Sequence, residues 1–156
     1  MQFSTKEDIE APIGDVFAML SDFEGFERLA IRRGIEVQRD KDMTPPGPGM
    51  EWAARFLLRG KSRDLRLTLA QYDRPTAIRF EAVSQGLDGT LTLDLLSLSK
   101  KRTRMAVVLE LKPKTLPARL LIQSLRLTKA TLTKRFKLKV ATFAKSLENR
   151  PGSTIT

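Results

Sequence analysis

Between residues 50 and 111, apolar side chains return at every second position in successive runs, and a turn signal follows each run. Trp52, Ala54, Phe56 and Leu58 share one parity, opposite Glu51, Arg55 and Arg59. Leu65, Leu67 and Leu69 oppose Asp64, Arg66 and Thr68; Ile78, Phe80 and Ala82 oppose Arg79 and Glu81. Leu91, Leu93 and Leu95 oppose Thr90, Thr92 and Asp94, and Met105, Val107, Leu109 and Leu111 oppose Arg104 and Glu110. A period of two marks strands with one buried face, because successive side chains leave opposite sides of the pleat. The turns, at Gly60-Lys61, Asp73-Arg74-Pro75, Gln85-Gly86 and residues 99–103, are short enough only for antiparallel neighbours. The spacing predicts an antiparallel meander with one face on a core and one in water. The passage of apolar parity from Leu95 to Leu96 and Leu98 predicts a bulge near Leu95.

The flanks add helices. Residues 3–11 alternate as a strand, with Phe3, Thr5, Glu7, Ile9 and Ala11 on one face, and Pro12 ends it. Ile13, Val16, Phe17 and Leu20 then follow helical spacing, as do Phe23, Phe26 and Leu29 before a stop at Gly34. Residues 35–42 read as a strand carrying Ile35 and Val37. Residues 44–49 hold three prolines and two glycines, which excludes helix and central strand. After the breakers Pro113 and Pro117, with Thr115 as N-cap, comes a stripe at spacings of three and four: Leu121, Leu125, Thr128, Leu132, Phe136, Val140, Phe143 and Leu147. This predicts one C-terminal helix ending near Asn149, about 45 Å long at 1.5 Å per residue. The expected organisation is a single domain over residues 1–149 and a flexible tail over 150–156.

The order is strand, two short helices, six strands and one long helix, an α+β arrangement. The run Ile9-Glu10-Ala11-Pro12-Ile13-Gly14-Asp15-Val16-Phe17, followed by Leu20-Ser21-Asp22-Phe23-Glu24, resembles the start of SRPBCC superfamily members. In these a strand ends in Ala-Pro, a Val-aromatic helix follows, and then an Asp-aromatic step. The superfamily includes START lipid-transfer domains, birch-pollen-allergen-like proteins and polyketide cyclase/dehydrase families. Residues 45–49 lie where birch-allergen-like members carry a Gly-rich loop between strands two and three. The resemblance implies a helix-grip fold: a curved antiparallel sheet of about seven strands wrapped around a long C-terminal helix, with an apolar cavity between them.

Composition narrows the chemistry. None of the 156 residues is Cys or His, which excludes disulfides, thiolate metal sites, a cysteine nucleophile, a Ser-His-Asp triad and an imidazole base. No metal or cofactor is expected. The N-terminal residues carry Lys6, Glu7, Asp8 and Glu10 in place of an apolar signal core, and no run of 18 apolar residues occurs, so a cytoplasmic protein is expected. The net charge of +10 is confined to the C-terminal part. Residues 1–111 hold 17 basic and 17 acidic residues, whereas residues 112–156 hold 11 basic residues and the single acid Glu148.

Two sets of candidate site residues follow. The first would line an apolar ligand cavity: Trp52, Phe56, Leu67, Leu69, Ile78, Phe80, Leu91, Leu93, Val107 and Leu109 on the strands. Phe23 and Phe26 on the second short helix, and Leu121, Leu125, Leu132 and Phe136 on the long one, complete it. The competing reading is that these side chains simply fill the core. The residues 45–49 loop and the Phe23–Phe26 helix would form a gate. The second set is an anionic-surface face of Lys129, Lys134, Arg135, Lys137 and Lys139, whose bland alternative is a solvated helix surface. These cations are not interleaved with aromatic residues, which weighs against nucleic acid. The parity admits Glu7 and Gln71 as inward polar groups, with Tyr72 and Asp73 at a strand end. No paired carboxylates emerge. Carriage of a lipid, polyketide or similar small apolar molecule is the expectation; a cyclase/dehydrase-like enzyme and a module for anionic membrane or an acidic partner are the alternatives. Oligomeric state is left open.

Overall fold

A computed structural model describes residues 1–148. Its elements are β1 (Gln2–Ile9), α1 (Ile13–Leu20), α2 (Phe23–Arg32), β2 (Glu36–Lys41), β3 (Glu51–Leu58), β4 (Lys61–Asp73), β5 (Ala77–Ser84), β6 (Leu87–Ser99), β7 (Arg102–Pro113), α3 (Leu116–Arg126) and α4 (Lys129–Glu148). The strands form one seven-stranded antiparallel sheet in the order β1-β7-β6-β5-β4-β3-β2. This is the α+β arrangement expected from the order of elements and the helix-grip fold that the resemblance implies. The expected tail and Asn149 lie outside the described residues.

The chain crosses the sheet once. β1 joins β7 at one edge, with Gln2 opposite Glu110 and Ile9 opposite Thr103, and β2 pairs with β3 at the other edge. The excursion through α1 and α2 carries the chain between those edges. Register defines two ends. At one, which α1 adjoins, Ile9 faces Thr103 and Asp73 faces Ala77. At the other, where β7 runs into α3, Glu36 faces Arg55, Leu65 faces Ser84 and Leu87 faces Pro113.

The core is concentrated at the α1 end. Ile9, Val16, Phe17, Leu20, Met105 and Leu147 are at most 2% exposed. Thr103, equally buried, donates its hydroxyl to the Ala11 carbonyl at 2.8 Å, which satisfies the acceptor left free where β1 stops. Glu148 on the last turn of α4 accepts from the Glu10 backbone N–H at 2.9 Å and ties the helix down at this end.

Several local expectations are corrected. The first β-hairpin turns at Arg59 and Gly60, one residue earlier than Gly60-Lys61; both have positive φ, 53° and 77°, which a two-residue turn of matching twist requires. Register shifts between Leu69 and Gln71, so Ala70 is a bulge. Gln71 then lies opposite Arg79 on the outer face, and Tyr72 turns inward opposite Ile78. No bulge occurs at Leu95. The shift lies between Ser97 and Ser99, and Leu96 points outward, exposed. Glu7, in contrast, keeps the inward parity: it lies half-buried in the β1–β7 ladder opposite Met105. The C-terminal helical stripe is divided at Leu127 and Thr128, where backbone bonds to Ser124 and Leu125 tighten to i→i+3 spacing and the Thr128 hydroxyl also reaches the Leu125 carbonyl. Thr128 is consequently exposed. α4 alone, with 20 residues, spans about 30 Å.

Candidate functional site: the concave face

On the inner face of the strands β5, β6 and β7, burial falls row by row from the α1 end to the α3 end, while Phe3, Leu69 and Trp52 on the flanking strands stay buried in the same rows. Met105 and Leu95 are sealed, and the next row, Val107, Leu93 and Ile78, is at most 9% exposed. The row after it, Leu109, Leu91 and Phe80, is half-buried at all three positions, and Leu111, Ala82 and Leu67 continue in the same state. Every one of these side chains is apolar. The inner face of β5–β7 is therefore packed core at one end and a half-buried apolar strip at the other, flanked by the buried Phe3, Leu69 and Trp52.

The structure distributes the predicted cavity residues across that boundary. Phe23, Trp52, Leu69, Ile78, Leu93 and Val107 are buried in one contiguous core cluster. Phe56, Leu67, Phe80, Leu91 and Leu109 on the strands are half-buried, as are Phe26, Leu121, Leu125, Leu132 and Phe136 on the helices. Three rings stand at the boundary. Phe23 meets Trp52 edge-on at 5.4 Å and Phe80 at 6.4 Å, and Trp52 meets Phe80 at 6.1 Å. Helix α4 reaches the sheet through Phe136, 5.8 Å from Phe3, and reaches α2 through Phe143, 6.0 Å from Phe26. α3 closes over the β5–β6 turn. The Lys114 N–H donates to the Gly86 carbonyl, and a Cβ on Gly86 would lie 3.0 Å from the Thr115 hydroxyl, so glycine permits the approach.

One polar cluster on this face goes beyond the residues that patterning singles out. The Glu27 carboxylate accepts from Trp52 Nε1 at 2.6 Å, from Arg39 Nε at 2.7 Å and from Arg39 Nη2 at 3.0 Å. It latches α2 to β2 and β3. Its bond to Arg39 holds that guanidinium's pKa above the usual arginine value, with Asp42 adding to the effect against desolvation. A signal for it exists in the sequence: Arg39 shares the parity of Ile35 and Val37, and a buried indole N–H needs an acceptor. Glu27→Ala leaves Arg39 and Trp52 without that acceptor. The expected cost is about 1–3 kcal/mol, with a red-shifted Trp52 emission, and Glu27→Gln should recover part of it. Thermal melting indistinguishable from the parent would make the latch idle.

The loop at residues 44–49 is stitched to β4. The Gly49 N–H donates to the Leu69 carbonyl and the Leu69 N–H to the Met50 carbonyl, each at 2.9 Å, and Met50 is fully buried. The Tyr72 hydroxyl is likewise engaged. It donates to Ser21 Oγ at 2.7 Å and accepts from Arg74 at 3.2 Å, while Ser21 Oγ donates to the Phe17 carbonyl at 2.8 Å. The Tyr72 network belongs to the sealed end, whereas the loop is fixed beside the row of Phe80, which Leu69 faces. On the outer face, a cleft of about 650 Å³ is lined by residues that include Gln38, Ala53, Arg55, Asp64 and Arg66, whose parity points away from the helices. Outer-face ion pairs brace the sheet: Arg104 holds the Asp8 carboxyl below the usual carboxylate range, and Lys41 and then Arg66 do the same for Glu51.

Lys129, Lys134, Arg135, Lys137 and Lys139 are all exposed, and none forms an ion pair among the described residues. Among those residues no group of three or more His, Cys, Asp or Glu could hold a metal ion, and no helix is long and apolar enough to cross a membrane.

No protein-family model matches the chain, and no curated protein matches its sequence. Solved structures do match its fold. TTHA0849 from Thermus thermophilus covers all of both chains at 16% identity and a TM-score of 0.67. The Zhui aromatase/cyclase from Streptomyces sp. R1128 matches 74% of this chain and 69% of its own at 12% identity, TM-score 0.58. A START superfamily protein from Mycobacterium smegmatis matches 86% of this chain and 95% of its own at 14% identity, TM-score 0.56.

Proposed function

We propose, for a chain that has an SRPBCC-type helix-grip fold, that it binds a small apolar ligand, a lipid, polyketide or similar molecule, between the sheet and the C-terminal helices. The observation that carries the reading is the burial gradient on the inner face of β5, β6 and β7: an apolar strip that is sealed at the α1 end and half-buried towards α3. The ligand would rest on Phe80, Leu91, Leu109 and Leu67, under Leu121, Leu125 and Leu132, with the Phe23–Trp52–Phe80 rings as the floor of the seat. Burial of apolar surface supplies the affinity, at about 25 cal/mol per Å². The chemistry asked of the protein is exclusion of water, with no proton or electron moved. Of the structures similar in fold, one is an aromatase/cyclase and another a START superfamily protein, which supports the same ligand classes here.

The test is native mass spectrometry of gently purified protein with organic extraction, followed by titration with a fatty acid, an isoprenoid quinone and an aromatic polyketide. Trp52, the single tryptophan, reports occupancy. A bound apolar compound, or a saturable change in Trp52 emission with one of the three, is the expected result. A clean apo mass together with a flat response to all three would overturn the reading.

A further inference from the structure

Exposed leucines and unpaired cations gather at the open end of the grip, on three separate elements. Helix α3 and the turn after it expose Leu116, Leu120 and Leu127, the last at 88%. Their spacing of four and seven places them on one helical face, opposite the face that buries Ala118 and Ile122. The β3–β4 hairpin projects past the β5–β6 turn, because Leu65 already pairs with Ser84 and four further rows of the hairpin, from Arg55–Asp64 to Leu58–Lys61, lie beyond it. Its tip exposes Leu57, at 77%, and Leu58. The C-terminal half of α2, which leads into the first residue of β2 at the same end, exposes Leu29 and Ile31.

Cations accompany each element: Arg32 and Arg33 at the end of α2, Arg59, Lys61 and Arg63 at the hairpin, and Arg119, Arg126 and Lys129 around α3. All are exposed, and none has an ion-pair partner among the described residues. The acids of this end are largely taken. Asp64, Asp88 and Glu110 are ion-paired with Arg55, Lys114 and Lys112, and Glu36 alone carries no ion pair among the described residues. From Lys112 to Leu147 the sequence contains no acid at all.

We propose that this end of the molecule docks on an anionic lipid bilayer, with the leucines of α3 and the hairpin tip entering the interface and the surrounding cations meeting the headgroups. Neither ingredient alone selects a bilayer. Free cations would suit any polyanion, but a row of exposed leucines gains nothing against phosphodiesters in water, whereas it leaves water on entering acyl chains. Positive charge at the rim then restricts the surface to anionic lipid. The docked face is also the half-buried end of the apolar strip. Docking needs no interior ligand, however, so it can fail or hold independently of the ligand reading.

The experiment is sedimentation with phosphatidylcholine vesicles and with vesicles carrying about one-third phosphatidylglycerol, at low and high salt, using the whole chain. Binding to the anionic vesicles alone, weakened by salt, is expected. Leu116→Ser/Leu120→Ser/Leu127→Ser keeps every charge and should weaken that binding at least about tenfold, given the transfer of each leucine. Arg119→Glu/Arg126→Glu/Lys129→Glu should weaken it on the order of a hundredfold. The replaced side chains are exposed, so both variants should melt with the parent, which checks the fold. Absence of binding to anionic vesicles overturns the proposal. So does a leucine variant that binds as the parent does. A parent that binds single-stranded RNA as tightly as anionic vesicles, with the leucine variant unaffected on both, would identify a general polyanion surface and also overturn it.

Discussion

Phe17→Ala lowers stability by about 3–5 kcal/mol, the usual range for truncating a buried aromatic. At roughly 2–4 °C per kcal/mol for a chain of this size, the melting temperature falls by roughly 6–20 °C. Phe17 is fully buried on α1, its ring 5.0 Å from Tyr72, with the Arg74 guanidinium 5.1 Å above it. Its backbone carbonyl also receives the Ser21 hydroxyl, which in turn receives the Tyr72 hydroxyl. The ring therefore plugs the sealed end, between Tyr72 and the Arg74 guanidinium. Calorimetry or a circular-dichroism melt measures the effect. A loss below about 1 kcal/mol, far under that expected for a core aromatic, would mean that the α1 end is not the mechanical base of the grip.

Phe80→Asp should remove apolar ligand binding while leaving a folded protein. Phe80 lies in the first half-buried row, so a carboxylate there still reaches water in the empty protein. A ligand seated against Trp52 and Phe23 would cover that carboxylate without a partner, at a cost of several kcal/mol, which corresponds to a loss of about a hundredfold or more. Phe80→Leu keeps an apolar side chain of similar size and should hold affinity within about tenfold. Both variants are read by the Trp52 titration. If Phe80→Asp melts cooperatively and binds as the parent does, the ligand seat is elsewhere.

Much of this architecture can be read from periodicity. The alternation from Trp52 to Leu111 reports strands because pleat geometry assigns each residue a face regardless of what covers it, and the Ala-Pro step at Pro12 marks where β1 gives way to α1. The errors arise where one residue of slippage changes the face. Ala70 is bulged, yet Gln71 and Tyr72 are both acceptable on either side of a strand end, so composition does not record which of them turned inward. Leu96 has the spacing of a change of parity but is an exposed leucine beside Arg104. The division at Leu127 is equally silent, because Leu127 keeps right-handed helical dihedrals and the three-four spacing runs on through it. The Glu27–Arg39–Trp52 latch joins residues 12 and 25 positions apart, beyond the reach of any local pattern.

The kinds of element, their order and the apolar face of each were already written in the chain, since these depend on neighbours a few residues apart. Which end of the grip is sealed was not. Leu93 and Leu91 sit two residues apart on one strand with the same side chain and the same parity, and one is buried while the other is half-open. The difference comes from what lies over them. The crossing through α1 and α2 and the docking of the α4 C-terminus stack helices on one end of the sheet, and α3 turns away over the other. That outcome depends on how distant segments share one concave surface, so it exists only once the chain has closed on itself.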